Sequence, residues 1–412
     1  MNIKKHFYFF SMNDFSLISG GPIRMIGIIE ALASKGHDVT LISNTKEKNR
    51  FPQTVKHIFI NKNLSKNERR IIQFILAILP FIFVKMLLNR LCNHFDQIFT
   101  ENLLSNKEII FFEYFDNAIG YLFKKCGLID SCINDTHGIA PLEFWYKKQT
   151  TVIGTFIKHT KFIISKLLDY KVYKLVDGLI VITQSLKNYL VSEYPFLEKK
   201  RIYIVADGIS KSLSEQKIDY SLIATLKKKY NIDNKTKVVL FVGSFKNFGG
   251  VPDLVKAFIK IHDIYHDLKL LLIGGGEDYD YVKKLIENNS IADKIILLGT
   301  TKYDKLKSYQ MLSDIIVCPD IKHPFTDMII HTKYFESLYS GKVVINGNFT
   351  AVRAINDNEQ LSLLFEPSDV SDLASKLIYA LDNLDVLSDK YKNNTEMISK
   401  LYGYDSFVNE LL

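Results

Sequence analysis

The sequence predicts an α/β protein built from two parallel β-sheets with helices on both faces. Short β-branched runs alternate with longer helical periods along most of the 412 residues, a pattern typical of parallel sheets joined by helices. The strand-like runs are continuously apolar, as expected for strands buried on both faces. A chain of this length is too long to fold around a single hydrophobic core, so we expect two domains.

The first predicted strand covers Ile3–Ser11, and the others are the runs HDVTLIS, KEIIFFEY, GLIVIT, RIYIVA, KVVLFVGS, KLLLIGG, KIILLG, IIVCP and KVVING. A polar stretch without a strand, SKSLSEQKIDYSLIATLKKKYNIDNKT, separates two groups of strands. We therefore predict an N-terminal domain over residues 1–210, a linker over 211–236, a C-terminal domain over 237–395, and a C-terminal helix over 396–412 that packs back on the first domain.

Charge is distributed unevenly between the two halves of the chain. Residues 1–210 contain 28 Lys and Arg against 18 Asp and Glu, whereas residues 211–412 contain 25 against 27. A basic half favours an anionic partner. The sequence shows no zinc finger, RNP-type aromatic motif or long basic cluster, so we expect peripheral contact with an anionic membrane and no nucleic acid.

Two apolar segments lie in the basic half. The stretch Phe74–Val84 is uncharged but has only eleven residues, with Pro80 inside it, too short for a span. Arg69, Arg70, Lys85 and Arg90 flank it, so membrane-surface contact and plain core are equally open. The second segment, Phe156–Leu175, carries five lysines and is interpreted as a core helix with a solvated lysine face.

The cysteines favour a reducing compartment. Cys92, Cys126, Cys132 and Cys318 match neither a zinc ribbon, a redox pair nor the paired framework of secreted domains. The N-terminal MNIKKHFYFFSMND has only a brief apolar run and no cleavage site after it. We expect a cytoplasmic protein.

A loop with paired glycines follows the first predicted strand. Gly20 and Gly21 let the backbone approach a ligand, and the next helix offers free amide groups to an anion. The pattern is not a strict dinucleotide fingerprint. A phosphate or sugar site and a purely structural turn therefore both remain open.

The C-terminal half contains, in order, FVGSFKNFGGVPDLVKAF, LLLIGGGEDYDYVKKLI, IILLGTTKYDKLKSYQMLSDIIVCPD and TDMIIHTKYFESLYSGKVVI. The N-terminal half contains KGHDVT, DTHG, VDGLIVITQSLKNYL and VADGIS. Together these motifs resemble the family 4 retaining glycosyltransferases of the GT-B superfamily, of the bacterial polysaccharide and glycoconjugate type. The resemblance covers most of the chain.

The resemblance implies a GT-B fold, in which two Rossmann-like lobes face a central cleft. It also implies transfer of a sugar from a nucleotide diphosphate sugar, most often of UDP or GDP, to a saccharide or lipid-linked saccharide, with retention and without cofactor or metal. The C-terminal lobe would hold the donor, and Gly20, Gly21 and Arg24 would contact the acceptor. Cationic side chains would neutralise the leaving diphosphate.

The donor-site residues implied by the resemblance are Gly243, Ser244, Lys246, Gly249, Gly299, Thr300, Lys333 and Glu336. Ser244 and Gly249 stand where the family has an arginine and a lysine, so Lys246 is the remaining loop cation for the diphosphate, unless it is simply solvated. Glu336 matches the second of two family glutamates. Met328 replaces the first, and the adjacent Asp327 can substitute for it as a catalytic residue.

His137, in the motif INDTHGIAP, is the candidate catalytic residue of the N-terminal half. It follows an apolar strand, where parallel sheets place ligand-binding side chains; a buried structural histidine is the alternative. Asp135 would orient this loop, and Asp207 and Gly208 would shape the turn between the domains. Two other functions stay open. One is a nucleotide-sugar epimerase on the same fold, and the other, suggested by the departures from the family pattern, is an inactive binding or scaffold protein.

Overall fold

A computed structural model describes residues 4–13, 15, 20–46, 50–60, 64–80, 82–84, 107–147, 151–289 and 291–412. It divides into two compact units. The first consists of Met1–Ala206 with Tyr404–Leu412, and the second of Asp207–Gly403. Lys85, Arg90 and Cys92 lie outside the described residues, as does most of the loop before Gly20.

The first unit contains a seven-stranded parallel sheet in the order β3-β2-β1-β4-β5-β6-β7. Its strands are β1 (His6–Ser11), β2 (Asp38–Ser43), β3 (Lys56–Phe59), β4 (Glu108–Phe112), β5 (Ser131–Thr136), β6 (Gly178–Val181) and β7 (Arg201–Ile204). Most residues of β2, β4, β5 and β6 are buried, as are the last three residues of β1. The sheet is therefore covered on both faces, as its apolar runs predict.

The helices of this unit up to residue 206 are α1 (Gly20–Ser34), α2 (Lys66–Ile78), α3 (Glu113–Lys125), α4 (Ala140–Trp145), α5 (Val152–Leu175) and α6 (Gln184–Glu193), with a 3₁₀ turn at Pro195–Lys199. A capping box starts α2: Ser65 accepts from the Glu68 amide, and the Glu68 carboxylate accepts from the Ser65 amide. The helix ends at Ile78, two residues before Pro80, which could not continue it.

The second unit contains a six-stranded sheet in the order β10-β9-β8-β11-β12-β13. Its strands are β8 (Lys237–Val242), β9 (Leu268–Ile273), β10 (Ile295–Gly299), β11 (Ile315–Cys318), β12 (Val343–Gly347) and β13 (Leu363–Phe365), and all pairs are parallel. This is the doubly wound order of Rossmann folds. The strand order reverses between β8 and β11, and ligands bind such sheets at the carboxyl ends of the strands beside this switch point.

The helices of the second unit are α7 (Lys211–Ser214), α8 (Tyr220–Lys229), α9 (Val251–Ile261), α10 (Tyr279–Asn288), α11 (Leu306–Leu312), α12 (Pro324–Met328), α13 (Thr332–Tyr339), α14 (Thr350–Arg353), α15 (Val370–Asp382), α16 (Leu384–Tyr391) and α17 (Asn394–Leu401). Tyr303–Lys305 and Asp357–Glu359 form 3₁₀ turns. The segment predicted as a linker thus carries α7 and α8 within the second unit.

The end of the chain belongs to the first unit. Helix α18 (Tyr404–Phe407) and the 3₁₀ turn Val408–Leu411 follow α17, and Tyr404 and Val408 join the core around α1. A side chain on Gly27 would place its Cβ 2.2 Å from the Tyr404 ring. Gly27 in α1 therefore makes room for the Tyr404 ring of the C-terminal segment.

The predicted fold class is confirmed, and every run predicted as a strand forms one. The predictions listed no run for β5, which entered only as the apolar strand before His137, and none for β3 and β13, which are short edge strands of four and three residues. Such strands carry too few residues to show a clear pattern.

The two apolar segments both differ from ordinary core helices. Ile71, Phe74 and Ile78 of α2 are exposed. The interpretation of the second segment as core is wrong for one whole face of α5, where Phe156 and Ile163 are exposed. No helix among the described residues is both long enough and apolar enough to cross a bilayer.

Gly250 provides a test of how closely the second unit is packed. Its φ is +64°, and a Cβ there would lie 1.7 Å from the Pro319 carbonyl oxygen. Gly299 has a similar φ of +71°, but a Cβ there would have no neighbouring atom within 4 Å. Gly299 is therefore a matched control. We predict that Gly299→Ala costs about 1–2 kcal/mol of unfolding free energy for the left-handed backbone, and that Gly250→Ala costs about 1–3 kcal/mol more for the overlap. Equal losses in urea unfolding would contradict this packing.

Candidate functional site

The loop after β8 lies at the switch point of the second unit and carries several predicted donor-site residues. The Gly243 amide donates to the Ile273 carbonyl at 3.0 Å, and the Gly249 amide donates to the Lys246 carbonyl at 2.7 Å. These bonds tie the loop to the end of β9 and close a tight turn before α9. Ser244 is exposed.

Lys333, on α13, passes beside this loop. A Cβ on Gly243 would lie 3.6 Å from the Lys333 Cδ atom, and the Lys333 ammonium group lies 5.4 Å from the centre of the Phe241 ring. The structure therefore brings together two residues that are 90 positions apart in the sequence and that were both predicted to bind the donor.

Asp320 holds the Lys333 ammonium group in place. It follows β11 by two residues, is buried, and accepts from Lys333 Nζ at 2.6 Å through Oδ1. Its Oδ2 lies 2.9 Å from His331 Nδ1. Burial alone would raise the pKa of Asp320, but Lys333 and His331 lower it to about 2. The carboxylate is therefore ionised at neutral pH.

Lys246 reaches the same cluster through an aromatic ring. Its exposed ammonium group lies 5.3 Å from the centre of the Phe248 ring. That ring lies nearly parallel to His331, at 6.0 Å between centroids and 9° between planes. Two cations, Lys246 from the loop after β8 and Lys333 from α13, thus contact a single cluster of Asp320, His331 and Phe248, which we call the Asp320 cluster.

Glu336 is buried one helical turn after Lys333. The Tyr303 hydroxyl donates to its Oε1 atom. Burial raises the pKa of Glu336 to about 7, with the hydrogen bond from Tyr303 acting against this rise and the charge of Asp207 adding to it. The nearby Thr332 hydroxyl donates to Asp207 at 3.0 Å. The Glu336 carboxylate is therefore largely covered by the surrounding residues.

Asp327 has a structural contact. Its Oδ1 atom accepts from the Thr350 amide at 2.8 Å, at the start of α14. This contact links α12 to α14 and occupies one carboxylate oxygen. The catalytic role inferred for Asp327 stays a prediction.

Gly299 and Thr300 follow β10. The Gly274 amide donates to the Gly299 carbonyl at 2.8 Å, and a Cβ on Gly275 would lie 3.4 Å from Thr300 Cγ2. The loops after β9 and β10 therefore touch each other, next to the loop after β8. The part of Gly299 and Thr300 in donor binding stays a prediction.

The first unit has its own charged group at the carboxyl end of β5. Asp135 accepts two hydrogen bonds from Arg24, from Nε and Nη2, each at 2.9 Å, and both residues are buried. His137 Nδ1 lies 3.4 Å from Asp135 Oδ2. Burial would raise the pKa of Asp135, but Arg24 and His137 lower it to about 2.

The residues predicted to contact the acceptor thus differ in how accessible they are to a ligand. Arg24 is engaged by a buried carboxylate, which gives it a structural task in addition to any contact with an acceptor. Gly20 and Gly21 begin α1, where Gly20 is exposed. His137, partly exposed beside Asp135, is the better placed of these residues to contact a ligand.

Sequence reasoning missed Asp320, His331 and Phe248, and it did not pair Tyr303 with Glu336. Asp320 ends the run VCPD at the close of a buried strand, which is the position where parallel sheets place ligand-binding groups. That signal was present in the sequence. The contacts of Tyr303 and Phe248 depend on tertiary packing and left no comparable signal.

Comparison with known proteins finds a family match within the second unit. Residues 223–397 match the family described as Glycosyl transferases group 1. An uncharacterized glycosyltransferase of Methanocaldococcus jannaschii is 22% identical over 231 residues, which are 56% of this chain and 57% of the relative. The chain thus spans about half the length of the curated relatives that it matches first.

Solved structures resemble the whole chain. Sucrose-phosphate synthase from Thermosynechococcus elongatus superposes with a TM-score of 0.71 at 16% identity, covering 99% of this chain and 97% of that chain. HepE of Anabaena, in complex with UDP-glucose, superposes with a TM-score of 0.67 at 13% identity, covering 99% and 98%. These likenesses confirm the predicted GT-B fold.

The raised pKa of Glu336 predicts a specific dependence of stability on pH. The folded chain keeps this proton up to about pH 7, whereas the unfolded chain releases it near pH 4.5. The free energy of unfolding should therefore fall by up to about 3 kcal/mol between these values as pH rises. Glu336→Gln should lack this fall, and the exposed Glu287→Gln should keep it. Identical pH profiles for parent and Glu336→Gln would contradict the burial of this carboxylate.

Proposed function

We propose that this chain, whose residues 223–397 match the family described as Glycosyl transferases group 1, transfers a sugar from a nucleotide diphosphate sugar to a saccharide or lipid-linked saccharide. Retention of the anomeric configuration and a place in cell-surface polysaccharide assembly, at the inner face of the cell membrane, are part of this proposal. The donor is a UDP- or GDP-sugar. The UDP-glucose complex of HepE, a structural neighbour, supports UDP first.

The Asp320 cluster is the observation that carries the proposal. An ammonium group has three donors, and Lys333 uses one of them on Asp320. The others can donate to phosphate oxygens near the Gly243 loop. Asp320 and Lys333 together carry no net charge, so the site has no large excess of positive charge before the nucleotide binds. The diphosphate then meets an ammonium group whose orientation Asp320 already fixes.

The chemistry requires stabilisation of charge on the leaving diphosphate. As the bond from the anomeric carbon to the phosphate oxygen breaks, its electron pair moves onto the diphosphate. The acceptor hydroxyl oxygen bonds to the sugar, and its proton passes to the leaving diphosphate oxygen. Lys333, Lys246 and the backbone amides of the loop after β8 would stabilise this charge. We propose that this requires no divalent metal.

Glu336 is proposed to bind the ribose of the nucleotide. Tyr303 donates to its Oε1 atom, and a ribose hydroxyl would donate to Oε2. In the first unit, Asp135 would orient His137 toward the acceptor or the transferred sugar through their contact. Arg24 would act through Asp135 rather than on the ligand.

Lys333 provides the sharpest test of the donor site. Since hydrogen bonds to charged groups contribute about 1.5–3 kcal/mol, we predict that Lys333→Gln weakens UDP binding about 10-fold to 150-fold in titration calorimetry. Lys333→Arg should recover part of the loss. Lys322→Gln is the matched control, because Lys322 is an exposed lysine of the same unit, paired with Glu366. UDP affinity within about twofold of the parent in Lys333→Gln would remove Lys333 from the donor site.

Turnover separates transfer from the alternatives. With UDP- and GDP-sugars in the presence of EDTA, we predict release of free nucleotide only when a saccharide or lipid-linked acceptor is added. Sugar epimerisation without acceptor would indicate an epimerase, and nucleotide binding without any release would indicate a scaffold protein. Reversible loss of turnover in EDTA would contradict metal independence.

A further inference from the structure

Helix α5 presents an apolar face to solvent. Its exposed apolar residues have exposed fractions of 45–87% and include Val152, Ile153, Phe156, Ile157, Ile163 and Leu167. They recur at three- and four-residue spacings and so share one face of the helix. The buried residues of α5, such as Ser165, Leu168 and Val172, lie on the opposite face. We call this exposed set the apolar stripe.

Helix α2 extends the apolar surface. It packs against α5, where Lys171 Nζ donates to the Leu76 carbonyl at 3.0 Å. On its own exposed side, Ile71, Phe74 and Ile78 are 46–57% exposed at spacings of three and four. Exposed apolar side chains scattered singly are normal, but contiguous sets on packed helices mark an interaction surface.

The only tryptophan of the chain borders the apolar stripe. Trp145 is exposed, and its ring packs on α5 at 4.7 Å from the Phe162 ring. Lys158 Nζ lies 5.8 Å from the centre of the indole. Tryptophan beside lysine is typical of surfaces at the boundary between water and lipid.

Charge around the apolar stripe is positive. Lys161 of α5 lies near Arg70 of α2 and near Lys147; burial and then the charges of these two neighbours lower the pKa of Lys161. The single acid of α5, Asp169, is buried, and burial raises its pKa to about 8. At neutral pH this helix therefore carries five lysines and almost no negative charge.

We propose that the apolar stripe and the exposed side of α2 bind the surface of an anionic membrane. The apolar side chains insert between headgroups and acyl chains, while the cations contact lipid phosphates. Lys166 of α5 is paired with Glu193, whereas Lys158 lies beside Trp145 and Lys161 lies near Arg70 and Lys147. This positive charge favours an anionic lipid surface over a second copy of this chain, since a second copy would bring the same positive charge to the contact.

Membrane contact would bring the enzyme to a lipid-linked acceptor. Only this purpose of the contact rests on the proposed function. Vesicle binding and nucleotide binding are therefore measured separately, and either can fail alone. UDP binding without vesicle binding would overturn the membrane inference alone. Vesicle binding without binding of UDP or GDP would support it and overturn the proposed function.

The experiment uses the full chain with vesicles of phosphatidylcholine, with and without phosphatidylglycerol. We predict co-sedimentation and a blue shift of Trp145 fluorescence on the anionic vesicles, both weakened by salt. The double variant Ile153→Glu/Phe156→Glu should lose binding about 10-fold or more, with unchanged UDP affinity and thermal unfolding. The matched control is Ile264→Glu/Val386→Glu, because these residues are exposed apolar positions of the second unit.

Three results would overturn the inference. One is equal binding to neutral and anionic vesicles at low salt. Another is binding of the Ile153→Glu/Phe156→Glu variant as tight as that of the control. The third is light scattering that shows a dimer of the parent which the same variant dissociates, in the absence of any vesicle binding; this would assign the surface to a second copy of the chain.

Discussion

A buried carboxylate at the carboxyl end of a central parallel strand organises each unit. Asp135 ends β5 in the first unit, and Asp320 follows β11 in the second; both are almost fully buried. A buried charge is costly unless it is paired, so each carboxylate binds two basic side chains. Arg24 and His137 pair with the first, and His331 and Lys333 with the second.

The two carboxylates have different consequences. Arg24 is as buried as Asp135, so that their bidentate pair mainly fixes α1 against β5 and leaves His137 as the partly exposed member. In the second unit the lysine and the histidine both remain partly accessible. Asp320 therefore presents a cation at the switch point of the sheet. Both carboxylates lie at the carboxyl end of a strand. The exposure of their basic partners decides which of the two carboxylates offers a site for an anion.

Much of this arrangement could be predicted from the sequence. Parallel sheets, the glycine loops and the motif around Lys333 and Glu336 depend on local patterns, which a single chain displays directly. The Asp320 cluster depends on tertiary contacts: Asp320 meets residues 11 and 13 positions away, and Asp135 meets Arg24 across 111 positions. The face of α5 could not be predicted, because helical period shows which residues share a side but not which side the neighbouring elements cover.

The central claim is that Lys333, held by Asp320, binds the diphosphate of a sugar nucleotide. A crystal structure of the full chain with UDP tests it most directly. The account predicts a diphosphate oxygen within about 3 Å of Lys333 Nζ, beside the loop that begins at Gly243, with the contact between Asp320 and Lys333 retained. UDP bound elsewhere in the chain, or bound at this loop with Lys333 directed away from the phosphates, would contradict it.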